Sequence, residues 1–316
     1  MQQDEISNTD VMVDTTVQEK DITFPTDSKL HGKIIKKVQQ IAKKENIKLR
    51  QSYTRTTKRL RLKLRFAHHP KRKKEARAAM RKLKTIAGRL TRDIERKLPE
   101  NRLTLYVKEI EIFKQVLAQQ KNSKNKIYSL HEPETACIAK GKAHKKYEFG
   151  SKTALAAIPG KNIIVGVVTF KGNPHDSKTL EPTLEHIERA TGITFKRALV
   201  DRGYRGKKKV GETEVIIPGS SNGKTEYEKR KLRKKCRSRA AIEPIIGHVK
   251  HDCRMARNYL KGFKGDEINA ILAAAGFNFR RMLRKIEAEL LFAFFKIQKM
   301  LDSKVLLPYR LYLQLI

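Results

Sequence analysis

The chain has 316 residues, with 71 Lys and Arg against 33 Asp and Glu, so its formal net charge is +38. This excess predicts a polyanionic partner, and no apolar run approaches the roughly 20 residues of a membrane-spanning helix. The start, MQQDEISNTD, lacks the features of a secretory signal, and Cys137, Cys236 and Cys253 form no CxxC pair. We therefore expect a cytoplasmic protein without a disulfide framework or zinc cage. Composition alone does not separate an enzyme acting on DNA from a ribosomal or other polyanion-binding protein.

The first third of the chain predicts one strand followed by basic helices. Residues 11–17, VMVDTTV, are rich in β-branched side chains and predict a short strand with Asp14 in its middle. Residues 29–47 carry apolar side chains at spacings of three and four, which predicts a helix. Residues 51–90 contain 15 Lys or Arg and one acid, Glu75. A solvated helix surface would explain them, but so much like charge favours phosphate as the counter-charge.

The rest of the chain alternates strands and helices, which indicates the α/β class. Residues 147–158 and 162–170 predict a β-hairpin, and Asp176 or Ser177 is a candidate cap for a helix that Gly192 ends. The strand in FKRALVDRG then delivers Asp201, and TEVIIPG predicts another strand. A long helix follows, whose apolar stripe we interpret as core or a dimer contact; the stripe comprises Ile268, Leu272, Ala275, Phe279, Met282 and Ile286.

Two aspartates lie in or at the end of apolar strands. A carboxylate there is costly to desolvate unless something binds it. Asp14 sits in VMVDTT and Asp201 in ALVDRGYRG. Either one alone is better explained as a turn or cap residue, so a third acid is needed before the pattern indicates a site.

Glu243, in RSRAAIEPIIGHVK, is the candidate third acid. At 100° per residue, Arg239 lies about 40° from Glu243 around a helix, and Lys250 and Arg254 each lie about 20° away. A shared face with one carboxylate and three cations suits an acid that holds a metal beside a DNA backbone. A surface salt-bridge stripe is the alternative. Because Pro244 cannot continue the hydrogen-bond ladder, the helix either begins near Glu243 or is kinked there.

Three carboxylates fit the chemistry of phosphodiester cleavage. Two Mg²⁺ or Mn²⁺ ions roughly 3.5 to 4 Å apart activate the attacking oxygen and stabilise the leaving oxygen, and Mg²⁺ prefers oxygen ligands. His248, His251 and Cys253 also cluster in the sequence. Their spacing matches no common zinc pattern, so we interpret them as packing or DNA-contact residues.

Three blocks closely resemble the catalytic blocks of the DDE transposases of bacterial insertion sequences, specifically insertion-sequence family five. They are VDTT at 13–16, VDRGYRG at 200–206 and RAAIEPIIGHVKHDCRM at 239–255, and AKGKAHKKYEFGSK at 139–152 is similar to that family's hairpin segment. The family signature of tyrosine, arginine, glutamate and lysine maps onto Cys236, Arg239, Glu243 and Lys250. Cys236 replaces the tyrosine.

The resemblance implies a ribonuclease-H-like (retroviral-integrase-like) catalytic core, with Asp14 on its first strand, Asp201 after the fourth and Glu243 on a following helix. It also implies Mg²⁺-dependent cleavage at the element's terminal inverted repeats, strand transfer into target DNA, and a homodimer that joins two ends. The predicted DNA contacts are Arg202, Tyr204, Arg239, Lys250 and Arg254.

The predicted organisation has four parts. Residues 1–28 hold the first strand, 29–125 form a basic helical insertion that binds DNA, 126–262 complete the core, and 263–316 form C-terminal helices. Only 13 residues precede Asp14, whereas family members usually carry a helical region there. We therefore expect a truncated copy or the second reading frame of a split element. A catalytically inactive DNA-binding repressor and a nuclease or junction resolvase of the same fold remain alternatives.

Overall fold

The computed structural model describes residues 10–140, 145–206, 208–218 and 225–313, with side chains in the last helix up to residue 300. These residues form eight strands and eight α-helices. The strands are β1 (Asp10–Lys20), β2 (Ala136–Ala139), β3 (Tyr147–Ile158), β4 (Ile163–Phe170), β5 (Arg197–Leu199), β6 (Lys209–Val210), β7 (Thr213–Ile216) and β8 (Arg257–Asn258). The helices are α1 (Asp27–Lys44), α2 (Thr54–Leu64), α3 (Lys73–Lys97), α4 (Glu100–Ala118), α5 (Leu180–Thr191), α6 (Glu226–Arg239), α7 (Ile242–His251) and α8 (Gly262–Leu313).

All eight strands belong to one mixed sheet, and β1 lies at its centre. On one side β1 pairs antiparallel with β3, from Met12 opposite Ala157 to Glu19 opposite Gly150. On the other side β1 runs parallel to β5, which runs parallel to β7. Strand β3 also pairs antiparallel with β4 and with the short β2. The sheet therefore has an antiparallel half and a parallel half that meet at β1.

Helices cover both faces of the sheet. Val11 and Val13 of β1 point into a core with α5, whereas Met12, between them, points into a second core with α7 and the start of α8. Both sides of the strand are thus buried, which explains its continuous apolar start. Helix α5 lies so close to β4 that a Cβ on Gly166 would be 2.4 Å from Ile187.

Helices α1 to α4 form a unit of their own between β1 and β2. Their apolar faces share one hydrophobic core, and the face predicted for α1, which includes Leu30, Ile34 and Val38, is confirmed. The basic side chains lie on the outward, solvated faces of these helices. Lys20 at the end of β1 pairs with Glu132, 3.4 Å away, and with Asp266 of α8 at 2.8 Å. The chain segments that enter and leave the helical unit therefore lie close together beside the sheet.

The prediction of several C-terminal helices is wrong, since residues 262–313 form the single helix α8. The stripe predicted as core or dimer contact is largely exposed: Leu272 is 63% exposed and Phe279 is 60% exposed. The buried side instead consists of Ala270, Ala273 and Ala274. Small side chains allow α8 to approach the sheet closely, which leaves the large apolar side chains facing outward.

The predicted strands and the hairpin are present with shifted ends, and Gly192 ends α5 in the left-handed conformation with φ 69°. Strands β2, β6 and β8 were not predicted. They have between two and four residues, and such short segments carry no measurable periodicity. With the short β2 counted, Asp201 follows the fifth strand of the chain; without it, Asp201 follows the fourth.

Candidate active site

Asp14 and Asp201 lie side by side because their strands are parallel neighbours. The β1–β5 pairing runs from Asp10 opposite Arg197 to Met12 opposite Leu199. The same register, continued by two residues, brings Asp14 opposite Asp201, across the roughly 4.8 Å that separates adjacent strands. Asp201 then begins a short 3₁₀ helix, and its Oδ1 accepts a hydrogen bond of 2.8 Å from the Gly203 N–H.

The carboxylate of Asp14 is largely buried and held on both oxygens. Its Oδ1 accepts from the Thr15 N–H at 2.8 Å, and its Oδ2 accepts from Nη2 of Arg239 at 2.8 Å. Burial raises the pKa of Asp14 from 3.8 to about 6, although Arg239 opposes the shift, and the negative charges of Asp201 and Asp176 add to it. The site thus concentrates negative charge that needs a cation.

Arg239 connects Asp14 to Glu243. Its Nη1 lies 3.7 Å from Oε1 of Glu243, whose side chain is 66% exposed. One guanidinium therefore bridges the first and third predicted acids, as the predicted proximity of Arg239 and Glu243 requires. The three acids occupy one region of the surface.

The prediction that one helical face carries Glu243 and its three cations is wrong. Arg239 ends α6, and α7 begins at Ile242 after a break at Ala240 and Ala241. Arg254 lies beyond the end of α7, with a left-handed φ of 61°. Pro244 sits in the first turn of α7, where its missing N–H breaks no hydrogen bond of the helix, and this position explains why the helix restarts there.

Asp176 is a fourth acid near the site, although its sequence position predicted only a cap for α5. The residue at the N-cap of α5 is Thr179, not Asp176 or Ser177, and it makes no side-chain cap hydrogen bond. The Asp176 Oδ1 accepts instead from Thr15 Oγ1 at 2.7 Å and from Lys152 Nζ at 3.0 Å. The available signal in the sequence was weaker than for Asp201, because Asp176 lies six residues after the end of β4, whereas Asp201 lies two residues after the end of β5.

The remaining predicted DNA contacts have different surroundings. Arg202 is exposed beside Asp201. Tyr204 is 1% exposed, so its predicted contact with DNA is not compatible with its position. Lys250 is half-buried, and burial lowers its pKa against the opposing charge of Glu148. Glu19 also lies near Lys250, and the DNA contact of Lys250 stays a prediction.

A pocket of about 210 Å³ lies next to Glu243, between α7 and α8. Pro244 and Phe277 contribute apolar surface, and Arg280, Arg281 and Arg284 contribute positive charge. The His248 Nδ1 is 2.9 Å from Asp252, which also lies 3.4 Å from Arg280. The arginines of this pocket therefore add positive charge next to Glu243.

The carboxylates of the site have suitable chemistry for a hard cation, but their side chains do not converge on one point. Among the described residues, no three Asp, Glu, His or Cys side chains are spaced to hold one metal ion. Asp14 and Asp201 are adjacent, whereas the Glu243 side chain is mostly exposed and pairs with Arg239. Carboxylate oxygens are the ligands that Mg²⁺ and Mn²⁺ prefer.

Comparison with known proteins places the chain in a family of transposase domains. Residues 116–279, just over half of the chain, match the family model described as "Transposase DDE domain". The chain belongs to this family. The matched range contains Asp176, Asp201 and Glu243 and begins after Asp14.

Another match is to a protein of Rhizobium meliloti named "Uncharacterized protein ORF8 in nfe locus". The two are 52% identical over 59 residues, which is 18% of this chain and 28% of that protein. The match thus spans less than a third of that relative's length. No solved structure matches the chain. In the described part of the chain, no helix is both long and apolar enough to cross a membrane.

Proposed function

We propose that this chain is an insertion-sequence transposase of family five that cuts DNA at the element's ends and joins them to target DNA. The observation that carries the proposal is the parallel register of β1 and β5, which sets Asp14 beside Asp201. Arg239 links this pair to Glu243. Three acids far apart in the chain thus share one surface, as a metal-dependent phosphoryl-transfer site requires.

A ribonuclease-H-like core is part of the proposal, and the sheet topology supports it. Strands β1, β3 and β4 are antiparallel neighbours, and β5 and β7 continue the sheet parallel to β1. The first acid lies on the central strand, the second follows a parallel neighbour, and the third lies on a later helix. This arrangement is the one that the resemblance to DDE transposases implies.

Asp14, Asp201 and Glu243 would hold one or two divalent cations. Bound there, such cations supply activation of a water or a 3′-hydroxyl and stabilise the leaving oxygen. Arg239 contacts Asp14 at 2.8 Å and Glu243 at 3.7 Å, so its single positive charge holds both acids on the same side. Its guanidinium would also suit a DNA phosphate once a cation balances the charge of the acids.

The helical unit provides a positively charged surface for the DNA. A broad depression on α3 is lined by exposed cations around Met80, which is 40% exposed. These cations are Lys73, Lys74, Arg77 and Arg81. Only one acid, Glu75, occurs in residues 51–90, and Lys63 already pairs with it at 2.8 Å. Most of this charge therefore remains for phosphates.

Replacing the four cations of the α3 depression by alanine is expected to weaken DNA binding and to make it less sensitive to salt. Each phosphate that the protein no longer neutralises should reduce the slope of log affinity against log salt by about 0.9. The measurement is fluorescence anisotropy with duplex DNA at several salt concentrations. A matched variant removes the same charge from α8 at Lys264, Lys285, Lys296 and Lys299. Equal effects in both variants would contradict a DNA surface on α3.

The function itself is tested by incubating the chain with DNA that flanks its coding sequence, with a target plasmid and Mg²⁺. Breaks at the boundary of a terminal repeat, followed by joined products, are expected. DNA binding without any cleavage would favour the inactive repressor. Cleavage without joining would favour a nuclease or resolvase, since only a transposase uses the new 3′-hydroxyl as the attacking group.

A homodimer is proposed for the complex in which two ends are joined. The outward side chains of α8 support it, because Leu272, Phe279 and Ile286 are each at least 45% exposed. Exposed apolar side chains at helical spacing are typical of surfaces that meet another protein.

A further inference from the structure

Asp176 uses its two carboxylate oxygens in different ways. Oδ1 accepts from Thr15 Oγ1 at 2.7 Å and from Lys152 Nζ at 3.0 Å. Among the described residues, Oδ2 has no hydrogen-bond donor. Lys152 is buried and also donates to the Pro174 carbonyl at 2.7 Å, so it is fixed in place. The carboxylate is therefore anchored through one oxygen while the other remains available.

The available oxygen faces Asp201 across Gly203. A Cβ on Gly203 would lie 2.9 Å from Oδ2 of Asp176 and 3.0 Å from Oδ1 of Asp201. The two oxygens cannot be farther apart than the sum of those distances, and a side chain on Gly203 would enter the space between them. Thr15, which anchors Asp176, directly follows Asp14. Asp176 therefore belongs to the same acidic surface as Asp14 and Asp201.

The buried hydroxyl of Tyr204 gives an independent sign of a ligand at this place. Tyr204 is 1% exposed, and its hydroxyl lies beside Thr179 and near Asp14, Asp176 and Asp201. Within the described part of the chain it nevertheless has no partner in hydrogen-bonding geometry. A buried hydroxyl left unpaired is costly. A bound ligand that carries water, such as a hydrated cation, would satisfy it.

We propose that Asp176 is a fourth acidic ligand of this site and that its Oδ2 joins Asp201 in binding a divalent cation. The inference rests on the proposed function and extends it by one residue. Lys152 and Thr15 hold Asp176 in position, so the cation meets a rigid carboxylate. Carboxylate oxygens from Asp176 and Asp201 then share the cation, and water completes its coordination.

The variant Asp176→Asn tests this role with little change in shape. Its amide oxygen still accepts from Thr15 and Lys152, whereas its amide nitrogen replaces Oδ2 and does not bind a cation. The full chain is titrated with Mn²⁺ without DNA, and free Mn²⁺ is followed by electron paramagnetic resonance. We expect at least a tenfold weaker Mn²⁺ affinity, with Tm in EDTA unchanged.

The controls separate the possible outcomes. Asp21→Asn removes a surface aspartate that pairs with Arg257 at 2.7 Å, and should leave Mn²⁺ affinity unchanged. Unchanged affinity in Asp176→Asn would overturn the inference, as would a large drop in Tm in EDTA, which indicates a structural role. If Asp201→Asn weakens Mn²⁺ binding but Asp176→Asn does not, this inference alone fails. If neither does, the proposed function fails as well.

Discussion

Asp201→Asn is expected to lower Mg²⁺-dependent DNA cleavage by roughly a thousandfold or more, because a metal ligand contributes several kcal/mol to the transition state. The asparagine retains the size of the side chain and an oxygen that accepts from the Gly203 N–H. It loses the negative charge beside Asp14. Single-turnover cleavage of end-containing DNA measures the effect, and Tm checks that the variant is folded.

The matched control is Asp27→Asn, an exposed acid in the first turn of α1, which should cleave at the normal rate. DNA affinity of Asp201→Asn should match or exceed that of the wild type, because a negative charge near the phosphates has been removed. Cleavage that survives in Asp201→Asn would remove this residue from the catalytic assignment.

The buried Asp14 is expected to make the metal-free protein less stable as the pH rises. Its pKa in the folded chain is about 6, above the ordinary 3.8, so folding favours the protonated form. This contribution is fully present below about pH 4 and is lost as the pH rises through 6. The difference corresponds to roughly 3 kcal/mol. Asp14→Asn does not titrate, so its stability relative to wild type should improve by about that amount between pH 4 and pH 8.

Unfolding in urea with EDTA at several pH values measures this difference. Mg²⁺ binding needs the ionised carboxylate, so wild-type Mg²⁺ affinity should rise roughly tenfold from pH 5 to pH 7, with proton release. A stability difference that does not change with pH would show that Asp14 ionises without a desolvation cost. The pH series thus tests the burial of Asp14 separately from its role in cleavage.

The sequence predicted the two strand acids because the local pattern is strong. An aspartate inside VMVDTT interrupts an apolar strand buried on both faces, and Asp201 ends another such strand. Strand and helix order also follow from local periodicity. What no local pattern contains is the pairing of β1 with β5, which determines that Asp14 and Asp201 are neighbours.

The errors arose where distant parts of the chain decide the structure. Asp176 has its partners in Thr15 and Lys152, which are far away in sequence. A break before Glu243 places Arg239 and Glu243 on different helices, although the two side chains still form an ion pair. In α8, close packing selected the alanine side rather than the side with larger apolar residues. In each case a tertiary contact overrode the preference of the segment.

The insertion of the helical unit between β1 and β2 has a consequence for how the chain folds. Asp14 pairs with Leu155, so the central strand can pair only after residues far along the chain have come close to it. Pairing across such a loop is slow because its closure entropy must be overcome first. Helices α1 to α4 are built from mostly local contacts and have their own core. Once formed, these helices place the two ends of the insertion close together, as the pairing of Lys20 with Glu132 shows, and so shorten the effective loop that the sheet must close.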